Sequence, residues 1–386
     1  MRIVVLKKGK ERKIKNGYPW IFEDEIKDVV GEHNESRIAN VFSYEGEFLG
    51  KGFYSSTSHI RVRMLTSRDE KIDKEFLVRR VRRSLERRRS LKLESFRVVH
   101  GEADFLPGLI VDKYKEGLVL QIRTKGFEFL KKELIESLKE LINPDFIYER
   151  SDFETRVDEE LTRYVGPLFG EPPEKLIIEE HGLKYVVDLR KGQKTGFFFD
   201  QRRNRLLVRN LQGISALDLY TYTGGFALNL SAAGFKEIIG VDVSPEALEV
   251  AKENARLNGL KVSFVNADAL EFLNGYSGKR FDVVIADPPS LIKRKSEKKK
   301  AVMILAELIR CVEKVLKVNG IFVLCSCAYN IDVKLMIEAM RRGVEGASLL
   351  WNIVNVTYQD IDHPWIAEIP ETLYLKCVWA KLEKGW

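Results

Sequence analysis

Cysteine and histidine are scarce in this sequence: its 386 residues hold four cysteines and five histidines. Four cysteines over that length do not make a disulfide framework. Cys325 and Cys327 are separated by a single residue, which does not fit C-x-x-C redox or zinc chemistry. With no spaced Cys/His cluster, no metal site is expected. Long apolar runs are also missing, and none reaches the ~18–20 residues of a membrane span. The opening Met1-Arg-Ile-Val-Val-Leu-Lys-Lys lacks the apolar core of a signal peptide. The expectation is a cytoplasmic chain with no membrane partner. No internal repeat or low-complexity tract is present.

What is there is globular, with 45% hydrophobic residues. The chain is too long for one ordinary core, so two or three domains are expected. The net charge is +7, from 64 basic and 57 acidic residues. The excess is modest but gathered into Arg79-Arg-Val-Arg-Arg-Ser-Leu-Glu-Arg-Arg-Arg89 and Lys293-Arg-Lys-Ser-Glu-Lys-Lys-Lys300. Such clusters suit a polyanion, nucleic acid first. A solvated helix face is the other reading of the first run. The abundance of Lys, Glu and Arg is a composition associated with thermophiles.

The hydrophobic pattern divides the chain into three parts. Residues 1–70 alternate as short strands, among them Ile3-Val-Val-Leu, Phe48-Leu-Gly-Lys-Gly-Phe-Tyr and Ile60-Arg-Val-Arg-Met-Leu, and predict a small β-barrel. Arg61 and Arg63 alternate with apolar neighbours and predict a charged face suited to RNA. Residues 71–188 start with a basic helix over 73–92, its apolar stripe being Phe76, Val81 and Leu85, and continue as an α+β domain. That domain ends in a hairpin turning at His181-Gly182. Residues 189–386 open on Leu189-Arg-Lys-Gly-Gln-Lys-Thr-Gly-Phe-Phe-Phe-Asp-Gln-Arg-Arg-Asn-Arg205. Three adjacent phenylalanines cannot all face one core, so one or two are expected to line a cleft. From residue 213 strands and helices alternate, which predicts a right-handed, mostly parallel sheet. Trp351-Asn-Ile-Val and Leu373-Tyr-Leu-Lys-Cys-Val-Trp-Ala add two further strands.

Chemistry gathers at the carboxyl ends of these predicted strands, where open α/β sheets bind ligands. Ala216-Leu-Asp-Leu-Tyr followed by Thr223-Gly-Gly-Phe reads as strand, glycine loop and helix. It is not G-x-G-x-x-G, so a dinucleotide is poorly supported. Asp242 ends the next strand and suits the hydroxyls of a ribose. Asp268 ends the third and suits an adenine edge, or serves as a helix cap. Ile285-Ala-Asp-Pro-Pro-Ser ends the fourth, where two prolines stiffen the turn beside Asp287. Ile321-Phe-Val-Leu-Cys-Ser-Cys ends the fifth. Cys325 and Cys327 share a face by the strand period, with Cys327 furthest out.

These segments carry a resemblance. The core resembles class I S-adenosylmethionine-dependent methyltransferases. The whole chain resembles the ribosomal large-subunit RNA (cytosine-5-)-methyltransferase family, which joins a PUA domain, a central α/β insert and a Rossmann-like catalytic domain. The matching segments are Gly192-Gln-Lys-Thr-Gly-Phe-Phe-Phe-Asp-Gln-Arg, Tyr222-Thr-Gly-Gly-Phe, Asp287-Pro-Pro and Ser326-Cys327. The fold implied is α/β, a Rossmann-like methyltransferase domain preceded by a PUA-like barrel and a central α+β domain. The cofactor implied is S-adenosyl-L-methionine, held by Gln201, Tyr220, Thr223, Gly224, Phe226, Asp242, Asp268 and Asp287. The partner implied is large-subunit ribosomal RNA, and a homodimer is left open. Cys327 would add to carbon 6 of cytosine, and Asp287 would hold the base edge at N3. Ala328 stands where relatives often carry Ser, which keeps Cys325 open as the nucleophile. Two other readings remain: a base-nitrogen methyltransferase using Asp-Pro-Pro-Ser without a thiol, and a ribosome-assembly protein without turnover.

Overall fold

The computed structural model describes residues 2–31, 37–290, 297–344, 346 and 348–385. The chain divides into two compact units. One comprises Met1–Ile178, Val187–Phe199 and Ile361–Thr372; the other comprises Glu179–Val186, Asp200–Asp360 and Leu373–Trp386.

The first unit contains two sheets. Arg2–Leu6, Trp20–Phe22, Ile26–Val30, Ile38–Phe42, Phe48–Tyr54 and Ile60–Thr66 form a six-stranded sheet. Alternation decides its faces: Val4, Leu6, Val41 and Val62 are fully buried and close a small apolar core. Phe96–His100, Leu109–Tyr114, Gly117–Ile122, Phe146–Ser151 and Tyr164–Phe169 form a five-stranded sheet. Lys74–Arg88 is the expected basic helix, opened by Asp73, whose carboxylate caps the Phe76 amide at 3.1 Å. Phe76 and Val81 are buried in the core of this unit and Leu85 packs against it. Leu176–Glu180 and Leu183–Val187, whose central residues belong to the second unit, form the expected hairpin, with both His181 and Gly182 in left-handed conformation.

One expectation needs correction. Arg61 hydrogen-bonds Glu23 and the Ser56 carbonyl, and Arg63 lies 3.7 Å from Glu159. Carboxylates therefore neutralise the face that alternation suggested was cationic. Of the phenylalanine triplet, two rings turn inward. Phe197 and Phe199 are buried, and Phe199 packs 5.1 Å from the Tyr114 ring. The Tyr114 hydroxyl accepts from the Phe197 amide at 3.0 Å, while Thr195 donates to Asp112 at 2.6 Å. Only Phe198 stays half-exposed, under the Lys194 ammonium.

The second unit is built on a seven-stranded sheet. Its strands in chain order are Ser215–Leu219, Glu237–Asp242, Ser263–Asn266, Phe281–Ala286, Leu316–Ser326, Leu349–Tyr358 and Lys376–Lys384. Across the sheet they run third, second, first, fourth, fifth, seventh, sixth. The first five are mutually parallel, and the seventh alone runs against them, pairing antiparallel with both the fifth and the sixth. Buried residues alternate between two apolar layers. Leu217 and Leu219 face the helices Lys298–Val315 and Val333–Gly343, while Ala216 joins Phe226, Val208 and Cys325 on the other side. The order reverses at the first strand, so the crevice above its carboxyl end is the ligand position of this architecture.

Candidate active site

The turn after Ser215–Leu219 has an unusual backbone. Tyr220, Tyr222 and Gly224 all adopt left-handed φ values, of 61°, 51° and 84°. Two bulky side chains in that region signal stored strain at a place the fold determines. Gly224 is needed for its φ and for packing: a Cβ there would meet Phe264 at 3.3 Å and Ala251 at 3.4 Å.

Asp218 is the organiser that motif reading passed over. Its Oδ2 accepts from Thr221 Oγ1 at 2.5 Å and from the Ala227 amide at 2.9 Å, which ties the glycine turn to the strand. Its Oδ1 is buried with no hydrogen-bond partner. Burial pushes the carboxyl up to about 7; the two hydrogen bonds oppose this, while Asp287 and Asp242 add to it. An acid in the middle of an apolar strand, Ala216-Leu-Asp-Leu, was the signal that could have found it.

The other acids are brought together around it. Asp242 receives the Tyr222 amide at 2.8 Å and the Ser244 amide at 2.9 Å. Asp268 caps the helix Ala269–Gly275, its Oδ1 taking the Leu270 and Glu271 amides at 2.8 and 3.1 Å. The cap does not remove Asp268 from the crevice. Tyr220 is pushed up to about 12 by burial, with the Asp268 charge adding to the shift. Thr223 and Phe226 are drawn inward: Thr223 is buried and its carbonyl accepts from Asn254, and Phe226 packs in an apolar layer.

Asp287 follows Ala286 and is half-buried. Gln201 Nε2 donates to its Oδ2 at 2.8 Å. The Gln201 carbonyl oxygen in turn accepts from Asn204 at 2.7 Å, and Thr357 holds Asn204 from behind at 2.6 Å. Gln201 thus bears on Asp287 directly. The arginines around it, Arg202 and Arg205, are buried on Glu180, and Arg202 also reaches Asp360 at 2.9 Å.

The two cysteines separate sharply. Cys325 is fully buried on the strand, and burial holds its thiol well above the usual range, with Cys377 and Asp287 adding to this. The strand ends at Ser326, and Cys327 is half-exposed just beyond it. Ala286 pairs with Leu324, so Asp287 and the cysteine pair emerge from neighbouring parallel strands. Lys376, paired with Ser326 across the antiparallel strand, is buried. Its Nζ donates to the Ala328 carbonyl at 2.7 Å and to the Tyr374 carbonyl at 2.9 Å. Burial pushes this ammonium down to about 8, while Cys327, Asp332 and Cys377 act in the opposite direction. Lys376 therefore clamps the turn that carries Cys327 and places a positive charge in its field.

A cavity of about 880 Å³ lies at the amino ends of the same strands, lined by Lys236, Ile238, Phe264 and Tyr276 among others; no crevice residue named above borders it. The basic run at 293–300 falls largely outside the described residues; its last three lysines begin the helix Lys298–Val315. No described helix is long and apolar enough to cross a membrane.

Comparison with known proteins agrees with this architecture. A PUA-like domain family matches residues 4–67, and a methyltransferase domain family matches residues 210–368. The ribosomal RNA large subunit methyltransferase I of Salmonella typhi is 34% identical over 97% of this chain and 96% of its own length. That of Escherichia coli is 35% identical, over 97% of each chain. Among solved structures, a proposed SAM-dependent methyltransferase from Streptococcus mutans superposes with a TM-score of 0.84 at 19% identity, covering 99% of this chain and all of the other. The SMU.776 structure, complexed with SAH, superposes with a TM-score of 0.85 at 19% identity and the same coverage. The chain belongs to the ribosomal RNA large subunit methyltransferase I family.

Proposed function

We propose that this protein methylates carbon 5 of a cytosine in large-subunit ribosomal RNA, with S-adenosyl-L-methionine as donor. The observation that carries the reading is the half-exposed Cys327 at a strand end, next to the strand that delivers Asp287. The crevice residues fit the donor: the strained Tyr220–Gly224 turn, the Asp242 carboxylate and the orphaned Asp218 oxygen are a polar cradle at the switch point of the sheet. Tyr220, Asp242 and Asp268 would hold it, along with the backbone of Thr223 and Gly224. When bound, it supplies an electrophilic methyl group.

The chain's own residues do the rest. Carbon 5 of cytosine is a weak nucleophile. The Cys327 thiolate adds to carbon 6, and the electron pair moves through the ring toward N3. Asp287, carrying a proton, hydrogen-bonds N3 and stabilises that charge. Carbon 5 is then enamine-like and takes the methyl group. A base takes the carbon-5 proton, and the electron pair of that bond re-forms the C5=C6 double bond, expels the Cys327 thiolate and restores the aromatic ring. A thiolate suits both steps, as a strong nucleophile and a workable leaving group. The Lys376 ammonium favours the anionic form of Cys327 by charge.

The test is Cys327→Ala, assayed by methyl transfer to ribosomal RNA and by cofactor binding. Transfer is expected to vanish while binding is kept. Full activity in this variant would instead favour a base-nitrogen methyltransferase built on Asp287-Pro-Pro-Ser.

A further inference from the structure

The helix Lys74–Arg88 buries one face and leaves arginines on the other. Arg80, Arg83 and Arg87 follow helical spacing, so their side chains form one stripe. All three guanidinium groups stand over the ring of half-buried Phe105, at 5.7, 5.1 and 5.5 Å. Phe105 has a left-handed φ of 58°, a conformation that a bulky residue keeps only when its surroundings impose it. Arg79 and Arg80 also lie over Phe76, at 5.9 and 5.0 Å.

These side chains are held in place before any ligand arrives. Arg80 donates to the Leu65 carbonyl at 2.6 Å, and Arg87 to the Ala103 carbonyl at 2.6 Å. Beside them is a cavity of about 330 Å³, lined by Thr66, Ser67, Arg68, Glu70, Phe76, Arg79, Arg80 and Arg83. Four guanidinium groups there meet one carboxylate, Glu70, which is already bonded to Thr66 and Arg79. Burial holds Arg80 below the usual arginine range; Arg83 adds to this, Glu70 opposes it, and Arg79 and Arg68 contribute less. Like charges gathered and fixed this way attract an anion.

The geometry points to this cavity as a docking site for a phosphodiester of the RNA substrate, outside the methyl-transfer crevice; this rests on RNA being the substrate. Guanidinium forks match phosphate oxygens in pairs, and stacking on Phe105 and Phe76 fixes their planes. The stripe from Arg80 to Arg87 is ~10 Å long, more than the rise between successive phosphates of one strand. It can therefore follow the strand past a single phosphate. An acidic protein segment would satisfy the same charge but is less suited to a row of stacked planar cations.

The experiment compares Arg79→Gln/Arg83→Gln with Arg82→Gln/Arg89→Gln in the full-length protein. The second pair removes the same charge from the same helix and its end, but lies outside the cavity lining. The probe is a large-subunit ribosomal RNA fragment, titrated across salt concentrations. The cavity pair is expected to weaken RNA binding on the order of tenfold near 0.1 M salt and to flatten the salt dependence by about two phosphate contacts. Thermal melting and cofactor binding should be unchanged, and the control pair should have a much smaller effect. Equal losses in both pairs, or none in the cavity pair while the parent protein binds and methylates RNA, would overturn the site alone. A parent protein with no salt-dependent RNA binding would overturn the site and the proposed function together. Loss of binding to a poly-glutamate peptide, with RNA binding kept, would assign the cavity to an acidic protein instead.

Discussion

The side-chain amide of Gln201 donates to the Asp287 carboxylate at 2.8 Å, and Gln201 is itself fixed by Asn204. Asp287 is thus oriented by a chain of buried amides and a threonine hydroxyl rather than by the strand end alone. Replacing Gln201 with Ala removes a hydrogen bond to the Asp287 carboxyl, a loss of about 0.5–1.5 kcal/mol. Turnover of RNA should fall roughly two- to tenfold on that basis. Steady-state kinetics check this: kcat should carry the loss, with KM for RNA little changed.

Lys376 clamps the turn behind Cys327 through the Ala328 carbonyl. An ammonium favours a neighbouring thiolate, so its removal raises the thiol's affinity for its proton. Lys376→Met should shift alkylation of Cys327 to higher pH and slow it on the order of tenfold near neutrality. Peptide-resolved mass spectrometry after iodoacetamide treatment reads this at Cys327 separately from Cys325, Cys377 and Cys311. An unchanged alkylation profile would leave Lys376 as a structural clamp only.

Asp218 gives the fold a pH signature. Its carboxyl keeps a proton up to about 7 in the folded protein, but only to about 4 when unfolded. Between those values the native state binds more protons, so this group's contribution to stability falls as pH rises and is level above the window. The change is on the order of a few kcal/mol. Asp218→Asn keeps an acceptor for the Ala227 amide and removes the titration. Denaturant melts from pH 4 to 8 should show a flatter profile for the variant.

Gly224 has a φ of 84° and its surroundings leave little room for a side chain. Gly224→Ala should destabilise the second unit by about 1–2 kcal/mol, the cost of a left-handed residue. Cofactor binding, measured by calorimetry, should weaken as the turn relaxes.

Much of this was readable in the sequence, for physical reasons that differ by element. The parallel strands are continuous apolar runs with an acid or a thiol at the carboxyl end, and that contrast marks both strand and crevice. Ile26–Val30 went unread because it lies at a sheet edge with Val29 and Val30 exposed, so no burial pattern is imprinted. Tyr164–Phe169 is also an edge strand and contains Pro167, a strand breaker except at edges. The helix Glu11–Lys15 buries none of its residues and carries no periodic signal. Lys376 could not be found as a partner of the Cys327 turn, since that relation arises from antiparallel pairing across fifty residues. Which of the three phenylalanines turn inward could not be read, because Tyr114 and Asp112, far away in sequence, make most of their segment part of a core.

The central claim is a covalent bond between Cys327 and the base, and trapping tests it most directly. A ribosomal RNA fragment carrying 5-fluorocytidine blocks loss of the substituent at carbon 5 and should hold the adduct after methyl transfer. Incubated with cofactor and digested, the wild-type protein should give one cross-linked peptide, with the nucleotide on Cys327. An adduct on Cys325, or no adduct while unmodified RNA is methylated at full rate, would contradict the account.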